Sequence, residues 1–569
     1  MTQKPLFLAR LVGTQEEMGA QHGRLTADDA LRLLAFYKTM PERTLAGDLG
    51  TVGKLGVRVV ANAWQENLRR TRPKELAART RAYADAVLAA SGGKASPYDR
   101  RAALRTLSTM DAMQNCVSLA ARAKTGPFAA LARSRATQAA IPACSTAIAW
   151  GRATADGELL FARNFDFPGV GVWDTAPSFV VCVPDRGQRY GFFATRGADT
   201  PVVTVVNEAG LVVAPHTRWH RDVTFSGAMI VDIVHDIARR AETIADAIAI
   251  AKEKKSSSSW GIAVGSAREK TAVVLELAGP HLDVVRPAPG AEYLVCNNHY
   301  KTETLRAGEF RASAAWDHHS MRRERRLRAL VENRSAPLTA RDLARFLGDR
   351  RDPDAPDRAR QLGGILCQPV NVHSVVVSPA QLRAHVGVDR APACEGQWAE
   401  LAWTWSGPAG AWELGTSLER SGFSATALPR DFVASHDAAT RHVHDAACAY
   451  EGSHDVHAAR AAIERAVGAS PEDPSLRLVA VWLALEAGAP DAAVVHARAG
   501  LSLETEAYRR GQLLLWGSRA ASRIDPAQAH AWNKQLENLA GDGIDELRAR
   551  GKQHHPGKPR ANLMMVDAY

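Results

Sequence analysis

Apolar positions recur along this chain with two different periods, and the change of period divides it. "PLFLARLV" at residues 5–12 is a nearly unbroken apolar run and predicts a strand. "GTQEEMGAQHGRLTADDALRLLAFYKTM" follows, with Met18, His22 and Leu25 at helical spacing. Apolar positions at i, i+3 and i+4 then recur in an Ala-, Leu- and Arg-rich stretch to about residue 135, which predicts a mostly helical segment. After Ser134 the pattern becomes that of short strands. "STAIAW", "ELLFAR", "SFVVCVP", "YGFFAT", "VVTVV", "LVVAP", "WGIAVGS", "TAVVLEL", "LDVVRP" and "YLVCN" follow one another to about residue 300, many of them bounded by Gly, Pro, Asp or Asn.

Residues 226–255 interrupt the strands with helical periodicity, and "KKSSSS" after them reads as a solvated turn. "SMRRERRLRALVEN" and "LTARDLARFLGDR" predict two more helices. "VHSVVVSP", "LRAHVGV" and "GQWAELAW" supply the last strands. Strands, helices and strands within one unit predict an α+β sandwich. Beyond about residue 432 the strand signals stop. Gly452 and Gly488 lie 36 residues apart in an alanine-rich helical pattern, and this stretch resembles tetratricopeptide repeats. The expected domains are therefore 1–143, a mostly helical prosegment; 144–430, the α+β core; 431–545, a helical-repeat-like unit; and 546–569, a polar tail. The composition shift near 430 predicts an independent boundary.

At 569 residues the chain exceeds a single domain, and 46% hydrophobic with 23% charged residues is globular composition. The net charge of +10 is spread over the chain without lysine stripes, which argues against nucleic-acid binding. Seven scattered cysteines with no CxxC pair argue against a disulfide framework or a structural zinc site and predict a reducing, cytoplasmic setting. No run is long enough for a membrane span or a signal-peptide core. His436, His442, His444, His454 and His457 cluster with Cys448, but without metal-ligand spacing, and no cofactor motif occurs, so no metal or cofactor is expected.

The chemistry concentrates at Cys144. A lone cysteine in an Ala/Ser/Thr-rich strand is ordinarily core filler. Here, however, "CSTAIAW" begins a strand, Asp156-Gly157 signals a hairpin, and the returning strand ends in Arg163-Asn164-Phe165-Asp166. That hairpin brings a thiol, a guanidinium and a carboxylate to one end of a sheet.

These elements resemble the start of the cysteine N-terminal-nucleophile hydrolases, and most closely the isopenicillin-N acyltransferase-like family. Mature chains there begin Cys-Thr/Ser, turn at Asp-Gly and reach Arg-Asn-x-Asp. "VVNEAGL" resembles that family's Asn-Glu-x-Gly-Leu turn, giving Asn207. "LVCNNHY" resembles its Asn-His-Phe segment, giving Asn298 with Asn297 as the neighbouring alternative. "HHSMRRERRLRAL" resembles a Ser-x-x-Arg helix start, giving Ser320 and Arg323. "GTQEEMGAQHGRL" resembles the prosegment signature, so the resemblance extends over about residues 8–425. The helical tail departs from the basic pattern.

The resemblance implies an αββα sandwich and an autoprocessed amidohydrolase or acyltransferase. Cys144 would cut its own bond to Ala143 and work through an acyl-Cys144 intermediate on an acyl amide or thioester. Its freed α-amine, with a reference pKa of about 7.7–8.0, would serve as base. Pro142 and its small neighbours would permit a kinked approach. Asp166 would hold the α-ammonium, Arg163 would favour the thiolate, and Asn207 and Asn298 would donate to the oxyanion. Arg323 would support Asp166 or bind a substrate group. "GVGVWD" would shape the substrate entrance. The expected partner is a small acyl substrate, with a protein partner for the helical tail. Two other readings stand beside this one: a non-catalytic scaffold, and a Cys/His hydrolase using His216 or His299 without self-cleavage.

Overall fold

The computed structural model describes residues 5–45, 50–92, 97–122, 143–224, 226–309, 314–413, 420–424 and 430–552. Pro142 and the approach to Ala143 therefore lie outside the described residues, as does most of the 546–569 tail.

The N-terminal segment opens with β1 (Phe7–Gly13) and continues through α1 (Gln15–Leu25), α2 (Ala27–Leu45), α3 (Gly50–Arg70), α4 (Lys74–Ala90), α5 (Pro97–Arg105) and α6 (Thr109–Arg122). Thr14 starts α1 with a capping box: its side chain accepts the Glu17 N–H, and Glu17 accepts the Thr14 N–H. Gly19 and Gly23 let α1 lie directly on α4, since a Cβ there would fall 2.3 Å from the Arg79 carbonyl oxygen and 2.5 Å from that of Tyr83.

The central strands are β2 (Ala143–Ala149), β3 (Leu160–Asp166), β4 (Pro177–Pro184), β5 (Tyr190–Thr195), β6 (Thr204–Asn207) and β7 (Leu211–Thr217). Two helices follow, α7 (Ile230–Arg240) and α8 (Ile244–Lys254). The single helical stretch expected over 226–255 is broken because Ala241 turns extended and Thr243 begins a new capping box with Asp246. Next come β8 (Ser259–Ser266), β9 (Thr271–Ala278), β10 (His281–Val285), β11 (Tyr293–Cys296), α9 (Glu303–Arg306), α10 (Ala314–Glu332) and α11 (Ala340–Leu347). The core ends with β12 (Arg351–Asp352), β13 (Ala355–Ala359), β14 (Asn371–Ser378), β15 (Arg383–Gly387), β16 (Gln397–Ala402), β17 (Gly410–Glu413) and β18 (Arg420–Ser424).

Two large sheets result. One runs β10-β9-β8-β7-β6-β5-β4-β1-β17 and the other β11-β2-β3-β14-β15-β16-β18. Their inner faces share one apolar cluster, with Phe179, Phe193 and Val274 from the first sheet meeting Ile148, Phe161 and Val375 from the second. Ile233, Val234 and Ile237 of α7 cover the far side of the first sheet, against Val205, Val213 and Ile262. Leu327 and Val331 of α10, with Leu343 and Leu347 of α11, cover the far side of the second, against Ala147, Leu160 and Ala162. The expected α+β class is observed.

The strand expected at residues 5–12 is present as β1, an interior strand of the first sheet, parallel to β4 and antiparallel to β17. One expectation gives way: Ser256–Ser259 is not a solvated turn. All four serines are buried, and their segment grips α6. Asp111 accepts hydrogen bonds from Ser258 Oγ at 2.5 Å, Trp260 Nε1 at 3.0 Å and the Ile230 N–H at 3.2 Å. Buried polar groups must find partners, and the Ser258 hydroxyl, the Trp260 indole and the Ile230 N–H find the same carboxylate.

The tail comprises α12 (Arg430–Ala447), α13 (Val456–Ala469), α14 (Pro474–Glu486), α15 (Pro490–Leu503), α16 (Ala507–Ala521), α17 (Pro526–Asn538) and α18 (Ile544–Gly551), with a π-helical turn at Cys448–Ser453. It is locked to the core rather than appended to it. Arg360 makes two bonds to Glu504, at 2.8 and 2.9 Å, and also pairs with Asp352. Arg509 reaches back to Asp352 at 2.9 Å and to Glu504 at 3.1 Å. All four side chains are buried. A boundary near 430 at which the core stands alone is therefore not what this interface predicts, because cutting there strands buried charges. No helix among the described residues is long and apolar enough to cross a membrane.

Candidate functional site

Cys144 is the second residue of β2, and the β2–β3 register sets Ala143 opposite Asp166, Cys144 opposite Phe165 and Thr146 opposite Arg163. The connection is wider than a two-residue turn, since β2 ends at Ala149 and β3 starts at Leu160, with Gly157 at φ +72°. Side chains alternate across a strand, so Cys144, Thr146, Phe165 and Arg163 share one face. Asp166, Asn164 and Ser145 lie on the other. The hairpin therefore brings the three expected groups together but presents the carboxylate from behind the strand.

On the thiol's face, Arg163 Nη2 stands 3.2 Å from Cys144 Sγ and 2.5 Å from the Pro215 carbonyl oxygen. Its Nη1 donates to the Val203 carbonyl. A buried guanidinium held between two fixed carbonyls cannot swing away, so its charge stays on the sulfur. Burial pushes the thiol pKa up; Arg163 opposes that rise and Asp166 adds to it. Cys144 is 1% exposed.

Behind the strand, Asn298 takes the Cys144 N–H on Oδ1 at 2.9 Å and Arg323 Nη2 on the same oxygen at 2.9 Å. Its Nδ2 donates to the Thr217 carbonyl at 3.1 Å. Two donors at one end and an acceptor at the other fix the orientation of this amide. Arg323 Nη1 donates to the Cys144 carbonyl and to Ser145 Oγ, both at 2.8 Å. Asn297 Nδ2 also reaches Ser145 Oγ, at 3.1 Å, and the Cys144 carbonyl, at 3.4 Å. Ser320 Oγ takes the Asn298 N–H at 3.0 Å.

Asp166 is completely buried. Its Oδ1 accepts Asn371 Nδ2 at 3.0 Å, while Oδ2 has no hydrogen-bond partner among the described residues. Burial raises its pKa to about 6, against the opposing pull of Arg323, Asn371 and Arg163. It forms no ion pair with Arg163, from which the strand separates it.

Cys144, Arg163, Asp166, Asn298 and Arg323 thus form one cluster, and Asn207 does not join it. Its Nδ2 donates to the carbonyls of Ala238 at 3.1 Å and Ala241 at 2.8 Å, and its Oδ1 accepts the Leu211 N–H at 3.0 Å. This amide ties the β6–β7 turn to the end of α7, and none of its polar atoms is left for an oxyanion. The site is reached by the far end of β7, where Pro215 and Thr217 meet Arg163 and Asn298. Asn371 is not singled out by the sequence, where it stands just before the strand "VHSVVVSP". Its signal was an amide at the first position of a buried strand, a place for a second polar contact.

Neither histidine of the Cys/His alternative touches the thiol. His216 Nε2 lies 2.9 Å from Thr146 Oγ1, and burial holds its pKa well below the usual histidine range, with Arg163 adding to the effect. His299 lies 2.8 Å from Ser320 Oγ and 3.2 Å from Glu324. Three histidines of the tail cluster are also engaged in structure: His436 with Glu395 at 2.6 Å, His444 with Asp174 at 3.3 Å and His454 with Glu486 at 3.3 Å. Asp174 in turn takes the Gly171 N–H at 2.6 Å and the Ala391 N–H at 2.9 Å. The "GVGVWD" loop is thereby clamped by α12, and its Trp173 packs edge-on against Phe165, at 5.7 Å, across from Cys144.

The arrangement has the parts for acyl transfer: a thiol under a fixed cation, a polar cage around its backbone, and a buried carboxylate. Residues 152–377 match the model of a family described as acyl-coenzyme A:6-aminopenicillanic acid acyl-transferase. Over that stretch the chain is similar to this family of acyltransferases, in keeping with the resemblance read from its motifs. The matched stretch includes Arg163, Asp166, Asn298 and Arg323, and Cys144 lies just before it. No curated protein matches the chain.

Proposed function

We propose that this protein is a self-processing cysteine N-terminal-nucleophile enzyme that transfers or hydrolyses acyl groups through a thioester on Cys144. The four layers of helix, sheet, sheet and helix are read as the αββα sandwich of that class. The tail is read as stacked helical hairpins and a surface for a protein partner. The substrate is a small acyl amide or acyl thioester.

One observation carries the reading most directly. The Cys144 N–H has one acceptor, Asn298 Oδ1, while Asp166 Oδ2 is buried behind the same strand end without a donor. Such an oxygen is costly to leave unpaired. Cleavage of the Ala143–Cys144 bond would turn an amide with one N–H into an ammonium with three. That gain of donors supplies Asn298 and leaves others for Asp166.

In the first step the Cys144 thiolate, favoured by Arg163, attacks the Ala143 carbonyl carbon. The C–N bond breaks as the C–S bond forms, and the leaving nitrogen takes a proton to become the α-amine. Water then hydrolyses the thioester, releasing a carboxylate on Ala143 and the thiol. In turnover, the neutral α-amine accepts the thiol proton as the thiolate attacks the substrate acyl carbon. It returns that proton to the leaving amine or thiol. Water or an amine then takes the acyl group from sulfur. Arg323 and Asn297 hold the Cys144 carbonyl, and Asn298 holds its nitrogen, so the nucleophile and base stay aligned.

Mass spectrometry with N-terminal sequencing of the purified protein tests this. The expected products are chains 1–143 and 144–569, with Cys144→Ala remaining a single chain. An active enzyme that stays uncut, or a Cys144→Ala chain that still breaks at this bond, would overturn the reading.

A further inference from the structure

Two other cysteines are placed for chemistry of their own. Cys367, before β14, and Cys394, before β16, are both fully buried, and their sulfurs lie 3.4 Å apart. Both are free thiols here. Three other buried cysteines face arginines instead: Cys144 faces Arg163 at 3.2 Å, Cys182 faces Arg79 at 3.7 Å and Cys296 faces Arg218 at 3.6 Å. A disulfide bond is about 2.05 Å long, so an approach of about 1.4 Å would join the pair.

We propose that Cys367 and Cys394 are a reversible dithiol–disulfide pair, closed by a small peroxide and opened by thiol reductants. The surroundings assign the roles. The Arg350 guanidinium interacts electrostatically with both sulfurs, more strongly with Cys367 than with Cys394, and is itself anchored by two bonds to Glu395, at 2.8 and 2.6 Å. Cys367 is therefore assigned the first attack, and the reacting form of a thiol is its thiolate. Cys367 thiolate attacks one peroxide oxygen, giving Cys367–SOH and releasing hydroxide. Cys394 then attacks the sulfenic sulfur, forming the S–S bond and releasing water. Two thiols and one hydrogen peroxide give one cystine and two waters.

The bond closes beside the carboxylate of the candidate site. The Cys394 N–H donates to Asn371 Oδ1 at 2.9 Å, and the same amide donates from Nδ2 to Asp166 Oδ1 at 3.0 Å. The Ala393 N–H also bonds the Asn371 carbonyl, at 2.9 Å. The cross-link therefore tethers the segment that orients Asp166, and it spans the β14–β15 hairpin. It does not depend on self-cleavage, because neither sulfur belongs to the nucleophile.

The full-length Cys144→Ala protein tests it, since removing one of seven cysteines leaves six thiols. It is reduced, exposed to hydrogen peroxide, unfolded in denaturant with an alkylating agent, and weighed. The expected result is six alkyl groups before peroxide and four after. The two missing ones map to a single cross-linked peptide pair carrying Cys367 and Cys394, and thiol reductant restores six. Six alkyl groups after peroxide, sulfinic or sulfonic acid at either position, or cross-linking between other cysteines would overturn it. In Cys367→Ser the Cys394 thiol should alkylate before and after peroxide alike. If that variant does not fold, the peptide map of the parent still decides.

Discussion

Arg323 Nη2 and Asn298 Oδ1 meet at 2.9 Å, and the same oxygen takes the Cys144 N–H at 2.9 Å. One guanidinium thus orients the amide that holds the nucleophile's nitrogen, while its other arm holds the nucleophile's carbonyl at 2.8 Å. By sequence Arg323 is one of several arginines in "MRRERRLR", where a solvated helix face is the default. It is instead fully buried.

Replacing Arg323 with Lys keeps a charge but loses the fork that reaches both atoms. Charged hydrogen bonds contribute about 1.5–3 kcal/mol each. Self-cleavage is expected to slow about 10- to 100-fold, read as the time course of chain separation. Cleavage at the parent rate would remove Arg323 from the site.

Asp166 makes a stability prediction with a definite sign. Its carboxyl is raised to about 6, against about 3.9 in an unfolded chain. Between those values the folded protein binds more protons than the unfolded one. Stability therefore falls as pH rises from about 4 to about 6, and the loss persists above that. In an uncut Cys144→Ala background, Asp166→Asn removes this penalty. It should stabilise the chain by on the order of 3 kcal/mol at pH 8 and by little at pH 4. Denaturant unfolding at the two pH values measures this, and an equal effect at both would refute it.

Asn207→Ala should behave as a structural change. It strands the carbonyls of Ala238 and Ala241, costing about 1–3 kcal/mol. The rate of self-cleavage in the folded fraction should stay within a few-fold of the parent. A 100-fold fall in that rate with unchanged stability would return Asn207 to the site.

Glu504→Gln should loosen the tail. Arg360 and Arg509 would both lose this carboxylate and lean on Asp352, which Arg322 also holds, and breaking a buried ion pair costs about 3–5 kcal/mol. The Glu504 carboxyl is held well below the usual range by Arg509 and Arg360, against the opposing cost of burial. Its contribution is therefore present above about pH 4 and lost below it. A chain ending near residue 430 should be less soluble than the full chain. A soluble, cooperative truncation would show that the lock is dispensable.

Much of this protein is determined by local pattern. The period of the apolar residues marks the strand at Phe7–Gly13, the helix from Gln15, the core strands and the helical tail, because each depends on which face of a segment can be buried. The hairpin that returns Arg163 to Cys144 is also local, since an antiparallel pair fixes which residues stand opposite each other. What the tertiary structure alone decided is where the remaining polar groups find partners. Asn207 and Asn298 are alike in sequence, but one meets the free carbonyls at the end of a helix and the other meets Cys144. Ser256–Ser259 looks like a solvent loop, yet the Asp111 carboxylate from another segment makes its burial affordable. Asn371 and Arg323 act from 205 and 179 residues away from their partners in sequence. A buried donor or acceptor is satisfied by whatever folding brings within about 3 Å, and that distance carries no periodicity along the chain.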